Sequence, residues 1–237
     1  MFHQLRRLLP SQCPFCNAWP VFGAAGGICD ACRRHLRKFP PRCRHCALSL
    51  TLANAPCPAC AQMPSPLAHC VAAVDYGYPW EQVLHQFKYQ QGHAWAHAMA
   101  DWLLQHPDGP PLLRAADAIL PVPLAPARLR ERGYNQAWEL TCALTRACGV
   151  RRKAHARWLS RRDTSRHQVG SSRVQRLRNL RDAFACHVQV RGQHILLVDD
   201  VMTTGATLFT LARLLQARGA ASVTAMAFAR TPLPGLS

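Results

Sequence analysis

Four Cys-x-x-Cys pairs, Cys13/Cys16, Cys29/Cys32, Cys43/Cys46 and Cys57/Cys60, fall within 48 residues near the start of the chain. No other feature restricts the fold so tightly. Two thiolates held two residues apart on a tight turn reach one tetrahedral metal ion, and two such pairs complete a Cys₄ centre. The opening "MFHQLRRLLP" has two arginines and a proline with no apolar run after them, so it does not read as a secretory signal. The expectation is an intracellular, cytoplasmic chain, where repeated Cys-x-x-Cys means metal rather than disulfides. Two structural Zn²⁺ sites are expected, with 13/16 joined to 29/32 and 43/46 joined to 57/60 as the preferred pairing. Interleaved pairing stays open, because the gaps between pairs are all 10 or 12 residues. An iron–sulfur or thiol-redox use of the same pattern is the lesser alternative. Cys70, Cys142, Cys148 and Cys186 stand alone and read as buried structural thiols.

The cysteine region runs to about residue 62 and leaves through the proline-rich "APCPACAQMPSPLAH". The expected division is a double zinc ribbon over 1–66 and a second domain over 67–237. No apolar run approaches the roughly 18 residues that cross a bilayer, so membrane insertion is not expected. Beyond residue 67 short apolar strands alternate with helical patterns. "CVAAVDYGY", "DAILPVP", "HILLVDD" and "SVTAMAFAR" read as strands. "PWEQVLHQFKY", "HAWAHAMADWLLQH", "YNQAWELTCALTRACG" and "ATLFTLARLLQARGA" read as helices, the second ended by "PDGPP". Residues 161–184 read as a long basic loop followed by a short helix. All-apolar strands of this kind suit a parallel sheet covered on both faces. The fold class expected is α/β, a doubly wound, mostly parallel sheet preceded by a small zinc-binding region.

Acidic residues are scarce, 12 against 29 Lys and Arg, for a formal charge of +17. Residues 128–191 alone hold 16 basic and 4 acidic side chains. A field of that sign favours polyanions such as nucleic acid or phosphorylated metabolites. Against this background, "ILLVDDVMTTGAT" places Asp199 and Asp200 side by side at a strand end. In such sheets, ligands sit beyond the carboxyl ends of the strands. Thr203, Thr204, Gly205, Ala206 and Thr207 then form the turn into a helix. Its backbone N–H groups, the helix dipole and three hydroxyls make a phosphate cradle, with Gly205 allowing close backbone approach. Carboxylates would repel a phosphate there unless they accept hydrogen bonds from ligand hydroxyls. A phosphorylated sugar satisfies both halves.

"VDDVMTTGAT" resembles the phosphoribosyl-pyrophosphate (PRPP) motif of type I phosphoribosyltransferases. The chain as a whole is similar to the ComF family of competence-associated, phosphoribosyltransferase-like proteins. The likeness runs through the four Cys pairs, "QFKYQ", "PVPLAPARLRERGYNQA", "TSRHQVGSSRVQRLRNLRDAF" and the PRPP motif. It implies a type I phosphoribosyltransferase fold, with Asp199 and Asp200 as catalytic residues binding the ribose hydroxyls. Residues Thr203 to Thr207 would take the 5′-phosphate. Arg128, Arg130, Arg132, Gly133 and Asn135 would hold pyrophosphate, helped by Lys88, and Arg forks suit phosphate oxygens. Gln168, Arg173, Arg176, Asn179 and Arg181 would lie on a mobile loop that closes over PRPP and its Mg²⁺.

Three functions follow as expectations. The first is a PRPP-binding protein of competence and DNA uptake, with a basic surface for single-stranded DNA and contacts to DNA-uptake proteins. Phe15, Trp19, Phe22 and Tyr89 are the candidate stacking aromatics. The second is a phosphoribosyltransferase of nucleotide metabolism with an unidentified acceptor. The third is a non-enzymatic scaffold or PRPP sensor.

Overall fold

In the computed structural model, residues 10–22, 27–53, 55–89, 92–162 and 183–233 are described. Among them, four parallel strands form the central sheet: β1 (His69–Asp75), β2 (Ala118–Pro121), β5 (His194–Met202) and β6 (Ser222–Arg230). Their order is β1-β6-β5-β2, and each neighbouring pair runs parallel. A two-stranded antiparallel ladder, β3 (Leu159–Arg161) with β4 (Phe184–Cys186), stands apart from the sheet.

The strands are apolar because both faces are covered. Leu196 and Val198 of β5 and Met226 and Phe228 of β6 point to one side. There they meet α3 (Trp80–Tyr89), α4 (Gly92–Leu104), α5 (Gly109–Ala115) and α7 (Gln136–Ala147) through residues such as Phe87, Trp102, Leu113 and Leu140. Ile195, Leu197, Ala225 and Ala227 point to the other side, against Leu208, Leu211 and Leu215 of α8 (Ala206–Ala217). Helices on both faces make this the doubly wound, parallel α/β fold expected above.

The cysteine region straddles the edge strand β1. Ile28, with Phe15, Leu36 and Phe39, packs on the side of the four helices. Cys43, Cys46, Ala47 and Leu48 pack on the α8 side. The Cys70 N–H donates to the Arg44 carbonyl, which pairs part of the open edge. Arg42 and Ser49 both bind Asp75, and Arg33 binds Asp101 of α4.

The cysteine region shows little helical periodicity in sequence, and its helices are short: α1 (Asp30–Leu36) and α2 (Pro58–Gln62) extend the second Cys-x-x-Cys turn of each set. Cys29 caps α1 by accepting from the Cys32 N–H, and Pro58 sits in the first turn of α2. The "PDGPP" stretch follows the end of α4 at Leu104, as read, and also starts α5 with its prolines in the first turn, where a missing N–H costs nothing.

Phe87 is fully buried between α3, α4 and the sheet. Phe87→Ala is expected to destabilise the chain by about 3–5 kcal/mol, read as a lower urea midpoint at unchanged slope. A loss below about 1 kcal/mol would mean that this face does not carry the core.

Candidate functional site

Two of the strands place the site. The chain leaves β2 toward α7 on one face and leaves β5 toward α8 on the other, so a crevice opens beyond the carboxyl ends of these neighbours. A cavity of about 300 Å³ occupies it, and Asp199, Asp200, Thr207, Lys88, Arg128, Arg132 and Asn135 all line it. Seven residues chosen from sequence thus meet in one place.

Asp200 is 4% exposed. Lys88, at the end of α3, brings Nζ to 3.2 Å from its Oδ2. That distance suits an ion pair, but the contact is not aligned as a hydrogen bond, and Oδ2 has no hydrogen-bond donor. Asp199 Oδ1 accepts from the Asp200 N–H at 2.9 Å. Burial, and then the neighbouring Asp200 carboxylate, push the Asp199 carboxyl well above the usual carboxylate range. Asp199 is half-buried and lines the cavity.

The turn after β5 has the required form. Gly205 adopts φ +83° ahead of α8. A Cβ there would come within 2.6 Å of the Met202 methyl and 2.9 Å of the Phe209 ring, so packing as well as φ demands glycine. The Ala206 N–H donates to Thr204 Oγ1. Thr203 and Thr204 are exposed, and Thr207 reaches the cavity wall from the first turn of α8.

The basic stretch divides by position. α6 (Pro126–Arg132) ends on Gly133, which takes φ +77° with open space where a Cβ would lie. Arg132 sits over the Tyr89 ring at 5.3 Å, and its buried Nε lacks an acceptor. Arg128 pairs with Glu131 at 2.8 Å, on an exposed surface where such a pair is weak. Arg130 and Gly133 do not line the cavity. Asn135 lines it, but its side chain holds the backbone: Oδ1 caps α7 by accepting from Ala137 N–H, and Nδ2 donates to the Val122 carbonyl. Gln168, Arg173, Arg176, Asn179 and Arg181 lie outside the described residues.

Among the polar wall residues, Gln136 and Arg161 were missed from sequence, and Tyr89 was read as a stacking aromatic rather than as part of this wall. Gln136 is 5% exposed with Oε1 unpartnered, and Arg161 has a buried, unpartnered Nε while its guanidinium lies over Phe184. Gln136 follows a residue already chosen, which was the one available signal. For Arg161 no spacing pointed to the cavity.

The cysteines form two sets, 13/16/29/32 and 43/46/57/60, so sequential pairing holds and interleaving does not. Within each set all four Sγ atoms lie within 4.8 Å of one another. Sγ separations of 3.6 Å (Cys16–Cys29), 3.7 Å (Cys43–Cys60) and 3.5 Å (Cys46–Cys57) approach the roughly 3.8 Å edge of a ZnS₄ tetrahedron with 2.3 Å bonds. Both sets fit a structural Zn²⁺.

The phosphoribosyl transferase domain family matches residues 164–233. The DNA utilization protein YhgH of Escherichia coli O6:H1 (strain CFT073) is 35% identical over 231 residues, covering 94% of this chain and 98% of its own. The protein of the same name from Salmonella typhimurium is 34% identical over 229 residues, with the same coverage. Competence protein F of Haemophilus influenzae is 29% identical over 213 residues, covering 87% of this chain and 92% of its own. No helix among the described residues is long and apolar enough to cross a membrane.

A carboxyl that holds its proton more tightly in the folded protein than in the unfolded chain stabilises the fold below the ordinary carboxylate range. That contribution disappears as pH rises through the raised value. Asp199→Asn should therefore be more stable than wild type at pH 7.5 in urea unfolding, with the difference closing toward pH 4. A constant difference across that range would remove the claim that this proton is held.

Proposed function

The chain belongs to the ComF family of phosphoribosyltransferase-like proteins, and from that membership and the cavity we propose that it binds PRPP with Mg²⁺ in competence and DNA uptake. The single observation behind this reading is the meeting of the aspartate pair and the Gly205 turn with Lys88, Arg128 and Arg132 in one crevice. Asp199 and Asp200 take the ribose hydroxyls, which would fill the donor vacancy at Asp200 Oδ2. The N–H groups of the turn, with the hydroxyls of Thr203, Thr204 and Thr207, take the 5′-phosphate. Arg132, Arg128 and Lys88 face the pyrophosphate, joined by Arg161. Asn135 and Gly133 act one step back, by shaping the loop that carries the arginines.

Mg²⁺ arriving with PRPP neutralises pyrophosphate charge. If transfer occurs, the bond between the anomeric carbon and pyrophosphate oxygen breaks with its electron pair leaving on pyrophosphate. An acceptor lone pair then closes on the oxocarbenium-like carbon. Clamping the leaving group would supply the acceleration.

Single-stranded DNA is the second ligand in this reading, and exposed aromatics support it. Trp19 and Phe22, beside the first cysteine set, are 63% and 60% exposed. Phe15 instead packs edge-on against Trp80, which removes it as a stacking platform. We place the division between zinc region and catalytic-type domain near residue 66, and the protein in the cytoplasm.

Calorimetric titration of the zinc-loaded chain with PRPP and Mg²⁺, with pyrophosphate release followed in parallel, is the direct test. Wild type should bind, and Asp200→Ala should bind about 10- to 100-fold more weakly, as expected for lost charged hydrogen bonds. Absence of binding by folded, zinc-loaded wild type would overturn the reading. For DNA, Trp19→Ala should weaken binding to a single-stranded oligonucleotide by roughly 10-fold while PRPP affinity holds, since one stacked base contributes about 1–3 kcal/mol. Unchanged DNA affinity would exclude this surface.

A further inference from the structure

Arg230 ends β6 and is 3% exposed. Among the described residues it has no carboxylate partner. All of its hydrogen bonds go to backbone carbonyls. Nε donates to Cys46 O at 2.9 Å. Nη1 donates to Met202 O at 3.3 Å, to Thr231 O at 2.6 Å and to Thr203 O. A buried guanidinium satisfied only by carbonyl dipoles is costly unless negative charge lies close by.

The acceptors explain where that charge comes from. Cys46 belongs to the second cysteine set. Four thiolates around one Zn²⁺ sum to a net −2, and one ligand residue lends its carbonyl to Arg230. On the opposite side, Met202 and Thr203 are the backbone that launches the turn toward Gly205 and α8. One side chain thus spans the metal centre and the start of the phosphate-binding turn. Cys70 Sγ, 3.7 Å from Met202 Sδ, fills the space beside it.

We propose that Arg230 is a positioning residue coupling the second Cys₄ centre to the Thr203–Thr207 turn. The metallated centre supplies the counter-charge that lets the guanidinium stay buried, and the guanidinium fixes the carbonyls from which the turn departs. This rests on the reading of that turn as a phosphate cradle, but the coupling itself is a property of the protein without ligand. Loss of Zn²⁺ from the second centre would loosen the cradle, whereas loss from the first would not.

Amide hydrogen exchange, read by mass spectrometry on the full zinc-loaded chain, tests the coupling directly. The comparison is between wild type, Arg230→Met, Arg230→Lys, Cys60→Ser for the second centre and Cys16→Ser for the first. Exchange in the peptide covering 203–207 should speed up about tenfold in Arg230→Met and Cys60→Ser, within the usual range of site-to-site coupling. It should stay at the wild-type rate in Cys16→Ser, and peptides from the middle of β5 and β6 should not change. Arg230→Lys keeps the charge but not the fork, so it should recover part of the protection. Where Arg230→Met or Cys60→Ser fails to fold, partial chelation of wild type gives the same comparison. Equal protection of the turn with and without the second Zn²⁺ would overturn the coupling. So would acceleration spread evenly over the whole sheet. PRPP affinity, measured on the same proteins, should fall about tenfold in parallel with turn exchange. Failure of PRPP to bind wild type would sink the functional reading while leaving the exchange result to decide the coupling.

Discussion

Two adjacent carboxyl groups held at the mouth of a parallel sheet are the constraint around which this molecule is arranged. They stand where β5 leaves the core, beyond Ile195, Leu196, Leu197 and Val198, all essentially buried. Charge placed there has lost much of its water and repels its neighbour. The surroundings answer with cations: Lys88 from the end of α3, Arg128 and Arg132 from α6, and Arg161 from β3. None of these neutralises the pair fully. Lys88 is poorly aligned with Asp200, and the Arg132 and Arg161 Nε atoms are unpartnered. A crevice with unsatisfied donors and acceptors of both signs is what supports the proposed ligand, one that carries hydroxyls and phosphates together.

Some of this could be read without coordinates, for a physical reason. A strand buried on both faces must be continuously apolar, so the acidic pair after Val198 marked the approach to its end, although β5 runs two residues further, to Met202. The glycine two residues before Thr207 marked the turn. Other features depend on which strands become neighbours. Lys88 meets Asp200, 112 residues away in the chain, only because α3 ends over β5. Arg161 joins the wall from a three-residue strand outside the sheet. No spacing encodes either. Asn135 shows a different limit: residue type placed it in the site, but its hydrogen bonds show that it holds the loop rather than extending toward a ligand.

The cysteine region is more than an appended module. An edge strand leaves backbone groups open to unwanted pairing, and β1 is such an edge. The two cysteine sets cover it from opposite faces, and Arg44 pairs directly with it. Composition changes sharply near residue 66, but the packing does not. Leu48 and Cys46 share one core with Ala225 and Leu211. A chain segment this short cannot bury enough apolar surface alone, so metal centres and the larger sheet together supply its order.

Asp199 connects these levels. Burial and the adjacent Asp200 make its carboxyl hold a proton more tightly than an exposed carboxyl does. A pair biased in this way repels an approaching phosphate less than two fully ionised carboxylates would. Ligand hydroxyls donating to the pair favour the ionised form and reverse that bias. In the proposed reading, binding is then linked to proton release, and the same two residues would anchor the ribose. The scarcity of acid in the chain serves the same end, because a formal charge of +17 favours the approach of phosphates.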